Sequence, residues 1–258
     1  MIMHVDQEQV QPLTEHIREL RNRILWIVLF FLITFIVSVI YAKDIFEWIR
    51  QDSMKGVQLH TFAPGQSLRV WMQIGFICSI VTTLPVILYH LWQFVRPGLR
   101  KSEQRAALVY IPVAILLFLG GLLFGYFVLF PYLIHFLQEL NQQLGIPEVY
   151  GVYDYFSFML NIILPLGFFF ELPVITLFLT RIRLITPQFL GKIRRFAYLA
   201  LVVVSAVITP PDVISCVIVT IPLILLYEIS ILLSYWLTKR MEREEQQIPL
   251  EEDGLEGE

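Results

Sequence analysis

The sequence predicts an all-α, polytopic membrane protein with six transmembrane helices and both termini in the cytoplasm. Three observations carry this prediction. Of 258 residues, 57% are hydrophobic and only 16% charged, with a mean hydropathy of +0.68; a soluble domain is about 45–50% apolar and about 25% charged. The apolar residues gather into six runs divided by polar connectors. The 19 Lys and Arg are shared unequally between the two sides, 15 on the side that would hold both termini and 4 on the other. Loops richer in Lys and Arg face the cytoplasm.

Residues 1–23 are mostly polar. Leu13, Ile17, Leu20 and Ile24 recur at helical spacing, Thr14 can cap the helix, and Glu15 and Glu19 share one face. A cleaved secretory signal is not expected with so polar a start, nor is a Ser-rich, acid-poor transit peptide; a bacterial cytoplasmic membrane is expected. The first span covers residues 24–42. Beyond it, Ile45, Phe46, Trp48 and Ile49 among Lys43, Asp44, Glu47 and Arg50 predict a helix lying in the outer interface.

A turn at Ala63-Pro64-Gly65 leads into the second span, residues 68–94, with a kink at Pro85. The third span covers residues 106–130. Its Gly121 and Gly125 permit close helix contact, and Leu133, Leu137, Leu140 and Leu144 continue a helical stripe past Pro131. The fourth span, residues 153–180, holds Glu171 between Pro165 and Pro173. Nine residues separate Glu171 from Arg181, which places the carboxyl about 15 Å deep.

The fifth span, residues 196–208, reaches about 20 Å, short of the roughly 30 Å hydrocarbon core. After Thr209-Pro210-Pro211-Asp212 the sixth span covers residues 213–237 and contains Glu228. This last hairpin is expected to be shallow, with the bilayer thinned around it. Residues 1–240 are read as one integral-membrane domain. From residue 241 onward eight acidic residues meet a single Arg, which predicts a disordered acidic tail.

Polar residues inside the spans are the candidates for function. A carboxylate near mid-bilayer costs several kcal/mol unless it is neutralised, paired or hydrated, so Glu171 marks either a polar spot in a groove or a protonated acid bonded to a neighbouring helix. Glu228 lies nearer a membrane face and can snorkel or pair. Asp212 is positioned to cap the sixth helix. Gln73 and Gln93 sit near span ends. Cys78 and Cys216 fall in apolar runs and read as packing residues, and the five His show no metal spacing. No zinc helix, nucleophile elbow or phosphate loop is present, so neither an enzyme, a metal or cofactor nor a nucleic-acid partner is expected. The two halves lack the matching repeats common in secondary transporters.

The connector Phe94-Val95-Arg96-Pro97-Gly98-Leu99-Arg100-Lys101-Ser102-Glu103 joins the second and third spans on the inner side. Pro97 and Gly98 stop one helix, and Ser102 or Glu103 opens the next. The plain reading is a positive-inside loop with a helix-opening Glu. A second acidic cluster on the same face, Glu15 and Glu19, favours a binding role.

The chain resembles the TatC family, the multispanning subunit of the twin-arginine protein translocase. The resemblance rests on His16-Ile17-Arg18-Glu19-Leu20-Arg21-Asn22-Arg23, the connector Phe94 to Leu99 with Glu103, and Phe124-Gly125-Tyr126-Phe127 with Phe130-Pro131. It continues through Phe170-Glu171-Leu172-Pro173-Val174, Thr209-Pro210-Pro211-Asp212 and Glu228-Ile229. It implies a receptor that binds the twin-arginine signal peptides of folded cargo proteins on the inner face, through Glu19 and Glu103 with Arg21, Phe94, Pro97 and Leu99 around them. It implies a glove-like arrangement whose concave face presents Glu171, with Tyr126, Asp212 and Glu228 as further intramembrane or partner contacts. Single-span TatA and TatB type subunits are the implied partners, docking at the short fifth and sixth helices, with membrane lipids and self-association in the active complex. The implied energy source is the proton-motive force. The alternative is a proton-coupled small-solute transporter using Glu171.

Overall fold

The computed structural model describes the backbone of residues 13–53, 59–96, 101–209 and 212–252, and side chains at 18–51, 59–94, 96, 108–209 and 212–243. Among these residues, five helical stretches are long and apolar enough to cross a membrane: Arg18–Gln51, Gln66–Phe94, Leu108–Gln143, Val152–Arg181 and Val213–Arg243. They match the first, second, third, fourth and sixth predicted spans. The fifth predicted span is also a helix, but of only 15 residues, or about 22 Å.

Helix α1 (Leu13–Ser53) runs for 41 residues. No Gly or Pro interrupts residues 13–55, so nothing ends the helix at the membrane surface. This corrects the expectation of a separate helix lying in the outer interface. The C-terminal part of α1 packs onto the rest of the chain instead: Ala42 and Ile49 are buried, and the Phe46 ring stacks on Phe156 with centroids 5.2 Å apart. Helix α2 (Gln66–Val95) returns along α1 and contains Pro85 without ending there. Thr34 and Thr83 share a hydrogen bond of 3.1 Å across this pair, and Trp71 Nε1 donates to the Val39 carbonyl at 2.6 Å.

Helix α3 (Lys101–Phe124) passes through a π turn at Gly125–Leu129 into α4 (Phe130–Gln143). Pro131 explains the turn. It has no N–H, and its ring would press on the carbonyl four residues back, so the backbone widens and Phe130 N–H donates to the Gly125 carbonyl. The helix continues well past Pro131, as the leucine stripe predicts.

Two-residue strands β1 (Leu59–His60) and β2 (Tyr150–Gly151) then pair in parallel, Leu59 opposite Tyr150, and tie the segment after α1 to the one after α4. Helix α5 (Val152–Phe169) packs against α3, the π turn and α4, and this seam is the core. Phe118, Phe130, Leu133, Phe156, Met159 and Ile162 are at most 1% exposed. Gly121 faces Gly167 so closely that a Cβ at Gly121 would stand 2.9 Å from the Gly167 Cα. Gly125 meets Ile163 in the same seam.

The fourth predicted span is broken. Helix α5 ends at Phe169, a turn covers Phe170 and Glu171, and α6 (Leu172–Arg181) follows with Pro173 in its first turn. Pro173 cannot donate back to the preceding turn, which releases the backbone just before it. After α6 the chain reverses, with Arg183 at φ 59 and the hydrogen bonds Arg183 N to Thr180 O and Leu184 N to Leu179 O. That is a Schellman closure with an Arg where Gly is usual. The short α7 (Pro187–Lys192) is capped by Thr186 Oγ1, which accepts from Phe189 N at 3.3 Å.

Helix α8 (Arg194–Ile208) and the long α9 (Val213–Glu252) complete the fold. Their contacts are hydroxyl-rich: Ser205 to Thr220 is 2.5 Å, and Thr180 to Ser234, between α6 and α9, is 2.7 Å. The backbone of α9 stays helical to Glu252, past residue 241 where the disordered tail is expected to begin.

Candidate functional site

In the N-terminal part of α1, Glu19 is half-buried and is gripped by Arg23, four residues on. Arg21 is exposed and lies two residues from Glu19, so the two do not share a face. The cation that holds Glu19 in place is therefore Arg23, and the i, i+4 spacing alone could have found it. Nearby, the Arg96 guanidinium lies 5.4 Å from the Trp92 ring centroid, and Phe94 is half-buried at the end of α2. Pro97 and Leu99 fall outside the described residues, as does the Glu103 side chain, although the backbone of residue 103 belongs to α3.

An apolar groove of about 330 Å³ lies between the C-terminal end of α2, the N-terminal half of α3, and α6. Leu88, Trp92, Tyr110, Ile111 and Phe178 line it, together with one carboxyl, that of Glu171. Glu171 is 7% exposed, and its Oε1 is buried with no hydrogen-bond partner among the described residues. The break between α5 and α6 puts it there. Glu171 occupies the N-cap position of α6, yet its side chain makes no capping bond, so the carboxyl is left facing the groove. Trp92 and Tyr110 add polar edges to a lining whose members are far apart in sequence; no single stretch announces them.

The other candidate polar residues are used within the chain. Asp212 Oδ1 accepts from Ser215 N at 2.6 Å and caps α9, the plainer of its two readings. Glu228 bridges two groups of α8: Arg194 donates to Oε2 at 2.8 Å and Tyr198 donates to Oε1 at 2.5 Å. Tyr126 is buried in the π turn, stacked on Trp48 with centroids 5.9 Å apart, and does not line the Glu171 groove. The four intramembrane candidates thus do not converge. Among them, Glu171 alone combines burial in a groove with no bond to either neighbour helix.

The model of the family described as "Sec-independent protein translocase protein (TatC)" matches residues 15–222. The Sec-independent protein translocase protein TatCy of Bacillus subtilis (strain 168) is 48% identical over 86% of this chain and 88% of its own length. TatC of Halalkalibacterium halodurans is 43% identical over 92% of this chain and 94% of its own. A crystal structure of the twin arginine translocase receptor TatC superposes with a TM-score of 0.76 at 36% identity, covering 86% of this chain and 99% of that one. A solute-carrier role finds no support among these relatives. Multiple apolar helices, the fold and the matched sequence agree: the chain is a multi-pass membrane protein and belongs to the TatC family of Sec-independent protein translocases.

Proposed function

We propose that this chain is the receptor and core scaffold of a twin-arginine protein translocase in a bacterial cytoplasmic membrane, with both termini in the cytoplasm. The paired arginines of a signal peptide meet Glu19 and Glu103 on the inner face. A guanidinium offers a planar fork that a carboxylate can accept in bidentate fashion, and an ammonium cannot. Arg21, Phe94, Pro97 and Leu99 frame that contact. The apolar stretch of the signal peptide then has a path along the spans.

The observation that carries this reading is Glu171: a carboxyl held in an apolar groove without a bonding partner among the described residues. Such a group is poorly explained as structural, because it stabilises nothing. It suits a receptor that waits for a polar group on a partner helix, here a single-span TatA or TatB type subunit. The short α8 and the start of α9 form the docking edge for that subunit, lipids fill the thinned surround, and copies of the chain associate in the active complex. Transport draws on the proton-motive force and needs neither catalysis nor a cofactor in this subunit.

The test is export of a folded reporter carrying a twin-arginine signal, in cells whose own receptor gene is replaced by this one. Export that requires the Arg-Arg pair and falls at least tenfold in Glu171→Leu is the expected result. Export that is equal for Arg-Arg and Lys-Lys signals would remove the reading.

A further inference from the structure

A second groove, of about 360 Å³, lies between α1, α2 and α5 and shares no lining residue with the groove around Glu171. Its walls are apolar, with Phe35, Met72, Phe76 and Leu164 among them, but it also holds two amides, Gln73 and Asn161. Gln73 Nε2 donates to Ser157 Oγ at 3.0 Å. Gln73 Oε1 is buried and has no partner among the described residues. Asn161 is exposed and stands one helical turn from Ser157, on the same face of α5. Asn161 is nine residues beyond Val152, where α5 begins, so it lies about 14 Å along the helix and close to mid-bilayer.

Gln73 is seven residues into α2, about 10 Å along it and nearer the span end; neither amide can be satisfied by acyl chains, and an unbonded amide in hydrocarbon costs several kcal/mol. We propose that this groove is a docking site for one transmembrane helix of a partner subunit that presents a side-chain amide or hydroxyl at mid-bilayer depth. The chemistry selects that occupant. Gln73 Oε1 needs a donor, Asn161 offers both a donor and an acceptor, and the apolar walls fit the rest of a membrane helix. The shape agrees, since a concavity formed by three helices takes a single convex helix, whereas the same face of a second copy would set hollow against hollow. The inference rests on the translocase reading in one respect: such a complex supplies single-span partners. The carboxyl of Glu171 and this amide pair would then accept two helices at two separate places.

The experiment reconstitutes the full chain in vesicles of phosphatidylethanolamine and phosphatidylglycerol with a Lys-flanked, Leu-rich single-span peptide. The peptide carries one central Gln beside a photoreactive residue; an all-Leu peptide is the control. The expected result is labelling of α2 and α5 at the groove about 3–20-fold above the all-Leu peptide, falling to the control level in the double variant Gln73→Leu, Asn161→Leu. Equal labelling by both peptides, or unchanged labelling in the double variant, would overturn the proposal in favour of a lipid-filled groove. Labelling that disappears as protein density rises would assign the groove to a second copy and overturn it equally. Crosslinking of a twin-arginine signal peptide on the inner face is read in parallel. Its retention in the double variant shows that the variant is folded, and its loss in the unaltered chain would defeat the receptor reading without touching this one.

Discussion

At the scale of single residues, the carboxylates differ in what already holds them. Glu228 is bonded to Arg194 and Tyr198, Asp212 is bonded to the backbone of Ser215, and Glu19 is paired with Arg23. An i, i+4 helix ion pair is worth about 0.3–0.5 kcal/mol, and Glu19 keeps a third of its side chain exposed while Arg23 is mostly covered, so Arg23 positions Glu19 and leaves it accessible. In the proposed site, Glu19→Gln should weaken binding of an Arg-Arg peptide about 10–100-fold, the loss of one charge-assisted contact. Arg23→Gln should change that binding about twofold or less. Titration of labelled peptide against the protein in lipid nanodiscs measures both. Glu171 carries the opposite signature. Removing an unbonded polar group from an apolar groove should leave stability unchanged or raise it by about 1–3 kcal/mol while export collapses. A thermal unfolding midpoint that falls in Glu171→Leu would mean that the carboxyl is structural after all.

At the scale of elements, close packing and broken backbones set the shape. The seam between α3 and α5 depends on Gly121 and Gly167, which leave no room for a side chain between the helices. Gly121→Val forces them apart and should cost about 1–3 kcal/mol, lowering the midpoint of unfolding by several degrees; Gly120→Ala, whose Cβ meets nothing within 4 Å, should not. Much at this scale was legible in the sequence. The Pro97-Gly98 pair predicts the end of α2, and Leu133, Leu137 and Leu140 announce the continuation of the helix past Pro131. The amphipathic pattern after residue 42 predicts an interfacial helix but fits inward packing equally well, and only the absence of Gly and Pro distinguishes the two. The pairing of Leu59 with Tyr150 is invisible locally, because it joins residues some ninety positions apart through two short strands. The Glu171 groove is likewise assembled from α2, α3 and α6; its acid stands out in the sequence, but its walls do not.

At the scale of the whole molecule, the account is a receptor with its recognition chemistry on the cation-rich side. The inequality of 15 cations against 4 fixes the expected orientation. Leu184 lies in the expected inner loop and Ile146 in the expected outer one, and both are exposed. Leu184→Cys should react with a membrane-impermeant thiol reagent only after the inner face is opened, and Ile146→Cys should react from outside in intact cells. The reverse pattern would invert the topology and move Glu19 away from cytoplasmic cargo. The 15-residue α8 gives the molecule one thin edge, braced on α9 by the Arg194–Glu228 pair and the Ser205–Thr220 bond. That edge is where a partner helix can approach with the least lipid in between.

The central claim is that two inner-face carboxylates read a pair of arginines. The most direct test is crosslinking of a twin-arginine signal peptide to this protein in membranes, with probes placed beside Glu19 and Glu103. The account predicts strong contact for the Arg-Arg peptide, and loss of that contact both for a Lys-Lys peptide and in Glu103→Ala. Equal contact in all three samples would mean that the apolar part of the peptide merely partitions into the bilayer near the protein, and would contradict the account.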